Sequence, residues 1–427
     1  MKIPGWWRVS YFYDRRVEDL IEFDKNFQNF KIGISFRYTK WKLDRSKLLN
    51  GVNIIGFAKG DFGIAQSMRL VTDAMKTTNI SFSVNNSGDT GEHSTTNEEL
   101  TPYLTKDAPY LINLFTYNAD LTISYCEGAF FTRDGSIPSK KQYNIGYGYW
   151  ELSIFPVKWQ AQDKYLNEIW APSKFIQGLI EKYSTLPIRY IPLPVDFKIP
   201  EGYTRSQFNL SEDSMLYLFT FDMSSSVERK NPQAVITAFC SAFPVERNEQ
   251  VSLVIKVNRV QNREDQALKV EALRQQIAFD PRIQIIDKIL DRSSILGLIY
   301  VCDCYVSLHR AEGFGLGIAE AMKMSKVVIA TNYSGNTDFM NEENSCLVNY
   351  TLIPVHKNEY VHVEDGAVWA DPDVDQAASY MKKVYEDKGY VKKKAEAAKL
   401  YIDTHHSFEA IGKAYQQRLL EILHTAE

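Results

Sequence analysis

The chain has no uninterrupted apolar run of the about 18 residues that a membrane-crossing helix needs. Its first residues, Met1-Lys2-Ile3-Pro4-Gly5-Trp6-Trp7-Arg8, lack the apolar centre of a secretion signal. Together these absences predict a cytoplasmic protein, at most peripheral at the inner face of a membrane. Positive charge is not in excess: the formal net charge is −4, which argues against a general nucleic-acid binder. The five cysteines (126, 240, 302, 304 and 346) are scattered and have no accompanying Cys/His pair, so core thiols are expected rather than metal ligands. No G-x-S-x-G elbow, H-E-x-x-H pair or G-x-x-x-x-G-K-[ST] loop is present. Gly56, Gly60 and Gly63 have the wrong spacing for a G-x-G-x-x-G fingerprint.

What is present describes an ordinary globular chain with an unusual beginning. At 427 residues, 44% of them apolar and 24% charged, the protein should bury two cores rather than one. Aromatic residues cluster early, where Trp6, Trp7, Tyr11, Phe12 and Tyr13 stand among Arg8, Arg15 and Arg16. Such a mixture suits a membrane interface, and it also suits an arm packed on the main body, the reading favoured here. Residues 1–50 are therefore taken as an N-terminal extension, with a helix over 14–27 and a short strand over 32–36.

From Gly51 apolar strands alternate with amphipathic helices. Strands are expected over 52–58, 80–84, 111–116, 144–147, 169–171 and 188–191, and helices over 64–75 and 173–183. The polar stretch 87–101 reads as a mobile surface loop. Proline marks a linker at Pro192-Leu193-Pro194-Val195-Asp196 and again at Pro200. The pattern then restarts, with strands at 215–221, 251–257, 283–286, 303–308 and 327–330. Helices are expected at 232–243, 264–279, 292–301, 316–324, 372–387 and 408–423. This alternation predicts two α/β, doubly wound, parallel-sheet domains, 51–195 and 196–404, and a last segment, 405–427. Ligands of such sheets bind at the carboxyl ends of the strands, here in the cleft between the domains.

The most informative run is Leu308-His309-Arg310-Ala311-Glu312-Gly313-Phe314-Gly315-Leu316-Gly317-Ile318-Ala319-Glu320. A buried strand leads into a glycine-rich turn and a helix, and glutamates stand on both sides of the turn. Glycines let backbone N–H groups approach a ligand, and a helix N-terminus attracts phosphate. Carboxylates are repelled by phosphate but accept hydrogen bonds from sugar hydroxyls. Phosphate between two sets of hydroxyls describes a nucleotide sugar. A solvated Glu312 and an exposed helical Glu320 are the bland alternative, which the Gly-Phe-Gly-Leu-Gly setting disfavours.

Other candidates lie at the ends of expected strands. Arg229 and Lys230 in Glu228-Arg229-Lys230-Asn231-Pro232 open a helix, where cations are disfavoured, and a cation pair there suits a diphosphate leaving group. Gly60 and Gly63 allow a ligand to approach the first strand–helix turn closely, or simply pack strand on helix. Asn118, Asp120 and Glu151 fall at the cleft edge of the first domain, and Glu151 is placed to hold an acceptor hydroxyl. Asp371, Asp373 and Asp375 alternate, but they abut a helix start, so capping is favoured over metal binding. His405 and His406 are adjacent, a poor arrangement for one metal on a helix. His309, one strand end from Glu312, either contacts the ligand or fills the turn.

These residues resemble a known group. Glu312 to Glu320 with Gly-Phe-Gly between is similar to the E-x7-E signature of the retaining family-4 glycosyltransferases of the GT-B fold. The segments 167–175, 193–196 and 327–336 resemble further stretches of that family, so that roughly 51–425 fit. The resemblance implies that Glu320 binds the donor ribose and Glu312 the transferred sugar. It assigns the amides of Gly313, Phe314, Gly315, Leu316 and Gly317 to sugar and phosphate, with Lys230 as the phosphate-binding lysine. Where the family often has an arginine after the strand near 221, this chain has Asp222, and Arg229 is the substitute. Where the family often has a histidine near the acceptor turn, this chain has Tyr149-Trp150-Glu151, a run that looks like a subset acting on bacterial surface polysaccharide. The final helix is expected to cross back onto the first domain.

The expectation is a retaining, metal-independent glycosyltransferase without a resident cofactor. Its partners would be a nucleotide diphosphate sugar donor and a glycan or lipid-linked glycan acceptor, as in lipopolysaccharide O-antigen or capsule synthesis. Residues 1–50 would supply any contact with a membrane or multi-enzyme assembly. Two alternatives remain at this point: another GT-B nucleotide-sugar reaction such as epimerisation, and a non-catalytic sugar-binding or scaffold module.

Overall fold

The structure, a computed structural model, describes residues 48–60, 62–87, 97–127, 142–247, 249–258 and 264–426. The extension up to residue 47, with its aromatic cluster, lies outside the described residues, as do Asp61 and most of the polar loop 87–101.

The first sheet is built from β1 (Leu49–Gly56), β2 (Phe82–Asn86), β3 (Tyr110–Phe115), β4 (Tyr143–Tyr147), β5 (Glu168–Ala171) and β6 (Ile188–Tyr190). Its strand order is β2-β1-β3-β4-β5-β6, and every pairing is parallel. The second contains β7 (Met215–Asp222), β8 (Val251–Asn258), β9 (Ile283–Ile286), β10 (Cys304–Ser307), β11 (Val327–Thr331) and β12 (Cys346–Val348). It is again all parallel, in the order β12-β11-β10-β7-β8-β9. Helices cover both sheets, which is why the central strands are apolar on both faces. In the first sheet a buried polar ladder fixes register. Ser83 Oγ donates to Asn53 Oδ1 (3.1 Å), Asn53 Nδ2 to Asn113 Oδ1 (2.8 Å) and Asn113 Nδ2 to Asn144 Oδ1 (2.8 Å).

The helices differ in how plainly their sequences mark them. α1 (Gly63–Lys76) buries Ala65, Met68, Val71, Thr72 and Met75, a helical spacing that makes one apolar stripe. α2 (Ala119–Cys126) was not expected from the sequence, and neither was α10 (Lys388–His405). α10 carries many lysines, and its buried positions Ala395, Ala398 and Ile402 are mostly small, so its apolar stripe is faint. The remaining helices are α3 (Lys174–Ile180), α4 (Val227–Lys230), α5 (Pro232–Ala242), α6 (Glu264–Ile277), α7 (Arg292–Val301), α8 (Leu316–Lys323), α9 (Val374–Glu386) and α11 (Phe408–Ala426). Helix α9 starts after Pro372 because that proline ends a strand; Asp373 caps it, its side chain accepting from Gln376 N at 2.9 Å. That strand belongs to an unexpected antiparallel hairpin, β13 (Tyr350–Pro354) with β14 (Val368–Pro372). Among the described residues no helix is long and apolar enough to cross a membrane.

Helix α11 returns to the first domain. Tyr415 stacks on Trp170 with ring centroids 5.2 Å apart, and Arg418 pairs with the fully buried carboxylate of Glu168. Glu168 also accepts from Trp170 Nε1 (2.7 Å) and Tyr143 OH (3.1 Å). The two chain crossings between domains are bonded to each other: Val195 N donates to His406 O (2.7 Å) and His406 Nδ1 to Leu193 O (3.0 Å). His406 is thus a hinge residue, and burial holds its imidazole neutral by lowering its pKa. Lys323, at the end of α8, pairs with Asp196 on one crossing (2.8 Å) and Asp403 beside the other (3.0 Å).

Arg418→Ala leaves the Glu168 carboxylate buried with neutral partners only. Loss of one member of a buried pair costs about 3 kcal/mol. Urea unfolding should show that loss, and an unchanged midpoint would mean that the pair does not hold α11 in place.

Candidate active site between the two sheets

The site forms where β10 ends. Beyond Ser307 the chain is pinned on three sides. Thr331 Oγ1 donates to His309 O (2.7 Å), Arg310 N to Arg229 O (2.8 Å) and Ala370 N, from β14, to Arg310 O (2.9 Å). The following turn is held by β11's loop, where Glu312 N donates to Ser334 Oγ (2.8 Å) and Gly335 N to Glu312 O (2.9 Å). Gly315 caps α8 in the left-handed region, at φ +95°, where a side chain would be strained. The first amides of α8 have no preceding helical turn to bond, so they face outward as donors. Gly313 lies against the first domain: a Cβ there would sit 3.1 Å from Trp150 O and 3.9 Å from Glu151 Cγ. Ser173 Oγ, which also caps α3, donates to Gly313 O at 2.7 Å. The signature turn is therefore one of the places where the domains touch.

Four charged side chains meet there. The Lys230 ammonium donates to Glu312 Oε1. Arg229 Nη1 lies 3.4 Å from Glu312 Oε2, and Arg229 Nη2 lies 4.0 Å from Glu151 Oε1 in the first domain. Burial by itself would raise the Glu312 pKa, but Lys230 and Arg229 outweigh it and pull the carboxyl down to about 2. Glu312 is thus ionised at any physiological pH.

Arg229 and Lys230 do not open a long helix. They form the last turn of the four-residue α4, with Asn231 in the left-handed conformation between α4 and α5. Cations are favoured at that end of a helix, which removes the electrostatic oddity seen in the sequence. The two also differ. Arg229 is enclosed, with Nε on Ser225 O (3.1 Å), Nη1 on Ala311 O (2.7 Å) and Tyr360 over its face. It braces the turn from behind instead of standing open to a phosphate. Lys230 is the more accessible cation, its side chain 18% exposed against 4% for Arg229.

Glu320 lies inside α8, nearly buried, and Oε1 accepts from Arg292 Nη2, at the start of α7. Below it Tyr305 OH and Thr220 Oγ1 are 2.7 Å apart. His309 resolves as the turn's filling: it is fully buried, and the ring is engaged at both nitrogens. Asn336 Nδ2 donates to Thr331 O (2.9 Å), so its oxygen faces His309 Nε2 at 3.0 Å. Nε2 faces two acceptor oxygens, those of Asn336 and Tyr333, while Nδ1 lies 3.0 Å from Ser307 Oγ and 3.1 Å from Ser307 O. Burial lowers the pKa of this histidine and nearby Lys230 and Arg229 lower it further, keeping it neutral. Of the two readings that the sequence left open for His309, contact with a ligand or filling of the turn, this geometry matches the second.

Gly60 and Gly63 lie in the turn between β1 and α1. Gly60 bonds Phe57 and Arg69, a Cβ there would meet Phe62 and Ala65, and Gly63 is exposed at the head of α1. Asn118 and Asp120 begin α2, at the carboxyl edge of the first sheet. Sequence reasoning missed Tyr360, whose hydroxyl donates to Glu151 Oε2 at 2.8 Å, and Arg292. No local motif marks Tyr360. The capping pattern Asp291-Arg292-Ser293-Ser294, in which Asp291 accepts from Ser294 N, at least placed Arg292 at a helix start.

Residues 223–387 match the family model described as Glycosyl transferases group 1. No curated protein matches the chain in sequence. Among solved structures, HepE (Alr3699) of Anabaena, determined with UDP and glucose, aligns with a TM-score of 0.62 at 14% identity, over 88% of this chain and 100% of that one. Sucrose-phosphate synthase of Thermosynechococcus elongatus aligns with a TM-score of 0.63 at 15% identity, over 88% and 100%. A glycosyltransferase of Rickettsia africae gives 0.62 at 15%, over 88% and 99%. At these identities the likeness is one of fold, and that fold is GT-B.

The lowered pKa of Glu312 makes stability depend on pH. Its folded value, about 2, lies below the ordinary 4.5, so the unfolded chain binds the proton more readily. The ionised pair then contributes roughly 3 kcal/mol at neutral pH, and the contribution fades as pH falls from about 4.5 toward 2. Urea unfolding should find Glu312→Gln less stable than wild type by roughly that amount at pH 7, and by less than half of it near pH 3. A gap that stays constant across this range would contradict the assignment.

Proposed function

We propose that the protein is a retaining glycosyltransferase. It moves a sugar from a nucleotide diphosphate sugar to a hydroxyl of a glycan or lipid-linked glycan, as in bacterial surface polysaccharide synthesis. The observation that carries this reading is the Glu312–Lys230 pair at the mouth of α8, with Glu320 one turn inside the same helix. In this reading residues 196–404 hold the donor, 51–195 receive the acceptor, and 405–427 tie the domains together. Glu320 takes the ribose hydroxyls and the Gly313–Gly317 amides take the diphosphate, while Glu312 holds the transferred sugar.

The reaction forms a bond between the acceptor oxygen and C1 of the sugar and breaks the bond between C1 and the diphosphate oxygen. The acceptor attacks on the face from which the diphosphate leaves, and the acceptor's proton passes to the departing phosphate. Negative charge grows on that phosphate, where Lys230 and the first amides of α8 lie. Fixed donors at such a place are worth about 10²–10³ in rate each. This cation and these amides are the basis for proposing a metal-independent reaction. Arg229 serves by keeping Glu312 ionised and by holding Glu312 and Glu151 in place. HepE was solved with UDP and glucose, which makes uridine diphosphate sugars the first donors to try.

A thermal-shift screen over nucleotide sugars, followed by transfer assays in EDTA, tests this reading. A bound donor should raise the melting temperature by mass action. Lys230→Ala should lower kcat about 10²–10³-fold, and Glu320→Gln should mainly weaken donor binding. The anomeric configuration of the product, read by NMR, should match the donor's. Failure of every nucleotide and nucleotide sugar to bind would remove the proposal, and an inverted product would remove the retaining mechanism.

A further inference from the structure

The β13–β14 hairpin belongs to the second domain, yet its connecting loop, residues 355–367, is fastened to the first. Val368 N donates to Ser153 Oγ (2.8 Å), and Glu364 Oε1 accepts from Val157 N (2.9 Å). Val355, Ala367 and Trp369 share one apolar cluster with Trp150, Leu152, Phe155 and Trp159. The ring of His362 meets Trp159 edge-on at 5.6 Å, and His362 adopts the left-handed conformation at φ +49°. On the other side Ser226, the cap of α4, donates to Glu359 O at 2.8 Å. The loop is thus pinned by the second domain immediately before Tyr360 and by the first domain after it.

Tyr360 stands where the two sets of anchors meet. Its ring packs on Trp150, with centroids 5.7 Å apart, and lies under the Arg229 guanidinium, also at 5.7 Å. Its hydroxyl donates to Glu151 Oε2 at 2.8 Å. Glu151 is only partly buried, its side chain 25% exposed, and its other oxygen lies 4.0 Å from Arg229. A side chain at Gly313 of the signature turn would come within 3.9 Å of the Glu151 Cγ. A glutamate has three rotatable bonds, and an exposed one would turn freely. Here one oxygen is fixed by a phenol and the other faces the Arg229 guanidinium.

We propose that Tyr360 is a positioning residue for the acceptor: it locks Glu151 so that Oε1 accepts a hydrogen bond from the attacking hydroxyl and directs that oxygen at the sugar. The inference rests on the glycosyl-transfer reading given above and deepens its acceptor side. It makes a segment of the donor domain, reaching across the cleft, part of what selects the acceptor. Prearranged contacts of this kind raise the rate by removing an ordering step from the encounter.

The test uses Tyr360→Phe, which deletes the hydroxyl and keeps the ring on Trp150 and Arg229, in a cycle with Glu151→Gln and the double variant. Nucleotide-sugar Kd and melting temperature should stay close to wild type in Tyr360→Phe, while kcat/KM for the acceptor falls about tenfold. In the Glu151→Gln background the same change should cost less than twofold, because the residue acts through Glu151. A full, additive loss in that background would overturn the proposal, as would a parallel loss of donor affinity or no loss of transfer. If the wild-type protein binds no nucleotide sugar, the glycosyl-transfer reading fails and this inference with it. If wild type transfers and Tyr360→Phe transfers equally well, only this inference fails.

Discussion

The ion pair between Glu312 and Lys230 is the constraint around which this molecule is arranged. Both groups are largely withdrawn from water, and neither would be tolerated there alone. Arg229 makes the arrangement stable by enclosing a second positive charge behind the carboxylate and bonding the carbonyls of Ser225 and Ala311. The result is a carboxylate held ionised and oriented at the head of a helix whose amides also point outward. A charge fixed in this way needs no reorganisation when charge develops on a substrate, which is how polar sites act in catalysis.

Helix α8 connects that chemistry to the rest of the protein. Its first residues form the signature turn, and its last, Lys323, binds Asp196 and Asp403 at the two crossings between domains. Phe314 in the turn lies against Phe339 and the hinge residue His406, at 5.2 and 5.7 Å. A movement of one domain on the other therefore acts on both ends of this short helix. The hairpin loop adds a third junction on the opposite side of the cleft, where Tyr360 and His362 interleave with Trp150 and Trp159. The domains are joined by hydrogen bonds at the hinge, by the Ser173–Gly313 hydrogen bond at the turn, and by aromatic packing at the hairpin.

Much of this was legible before any coordinates. Strands such as β7, β10 and β11 are largely apolar runs bounded by turn residues, and that pattern survives any tertiary context because both sheet faces are covered. The turn at 312–317 was legible because glycines, a preceding strand and a following helix all fall within one short stretch. By contrast, α10 hid behind its lysines. The hairpin hid because β13 is exposed along most of its length, at Tyr350, Thr351, Leu352 and Pro354. Arg229 was read as an open phosphate ligand, since nothing near it in the chain reveals that Ala311, Glu151 and Tyr360 enclose it.

The sequence by itself determined two parallel sheets, a proline-marked passage between them and the position of the glutamate-bracketed turn. Each of these depends on residues within about one strand–turn–helix unit, where periodicity and backbone preference act directly. Only the tertiary structure decided which charges are paired, that His309 is walled in, and that Tyr360 reaches Glu151 across 209 positions of chain. Charge pairing and burial are set by distances in space, and the residues that set them here come from separate domains brought together only when both have folded.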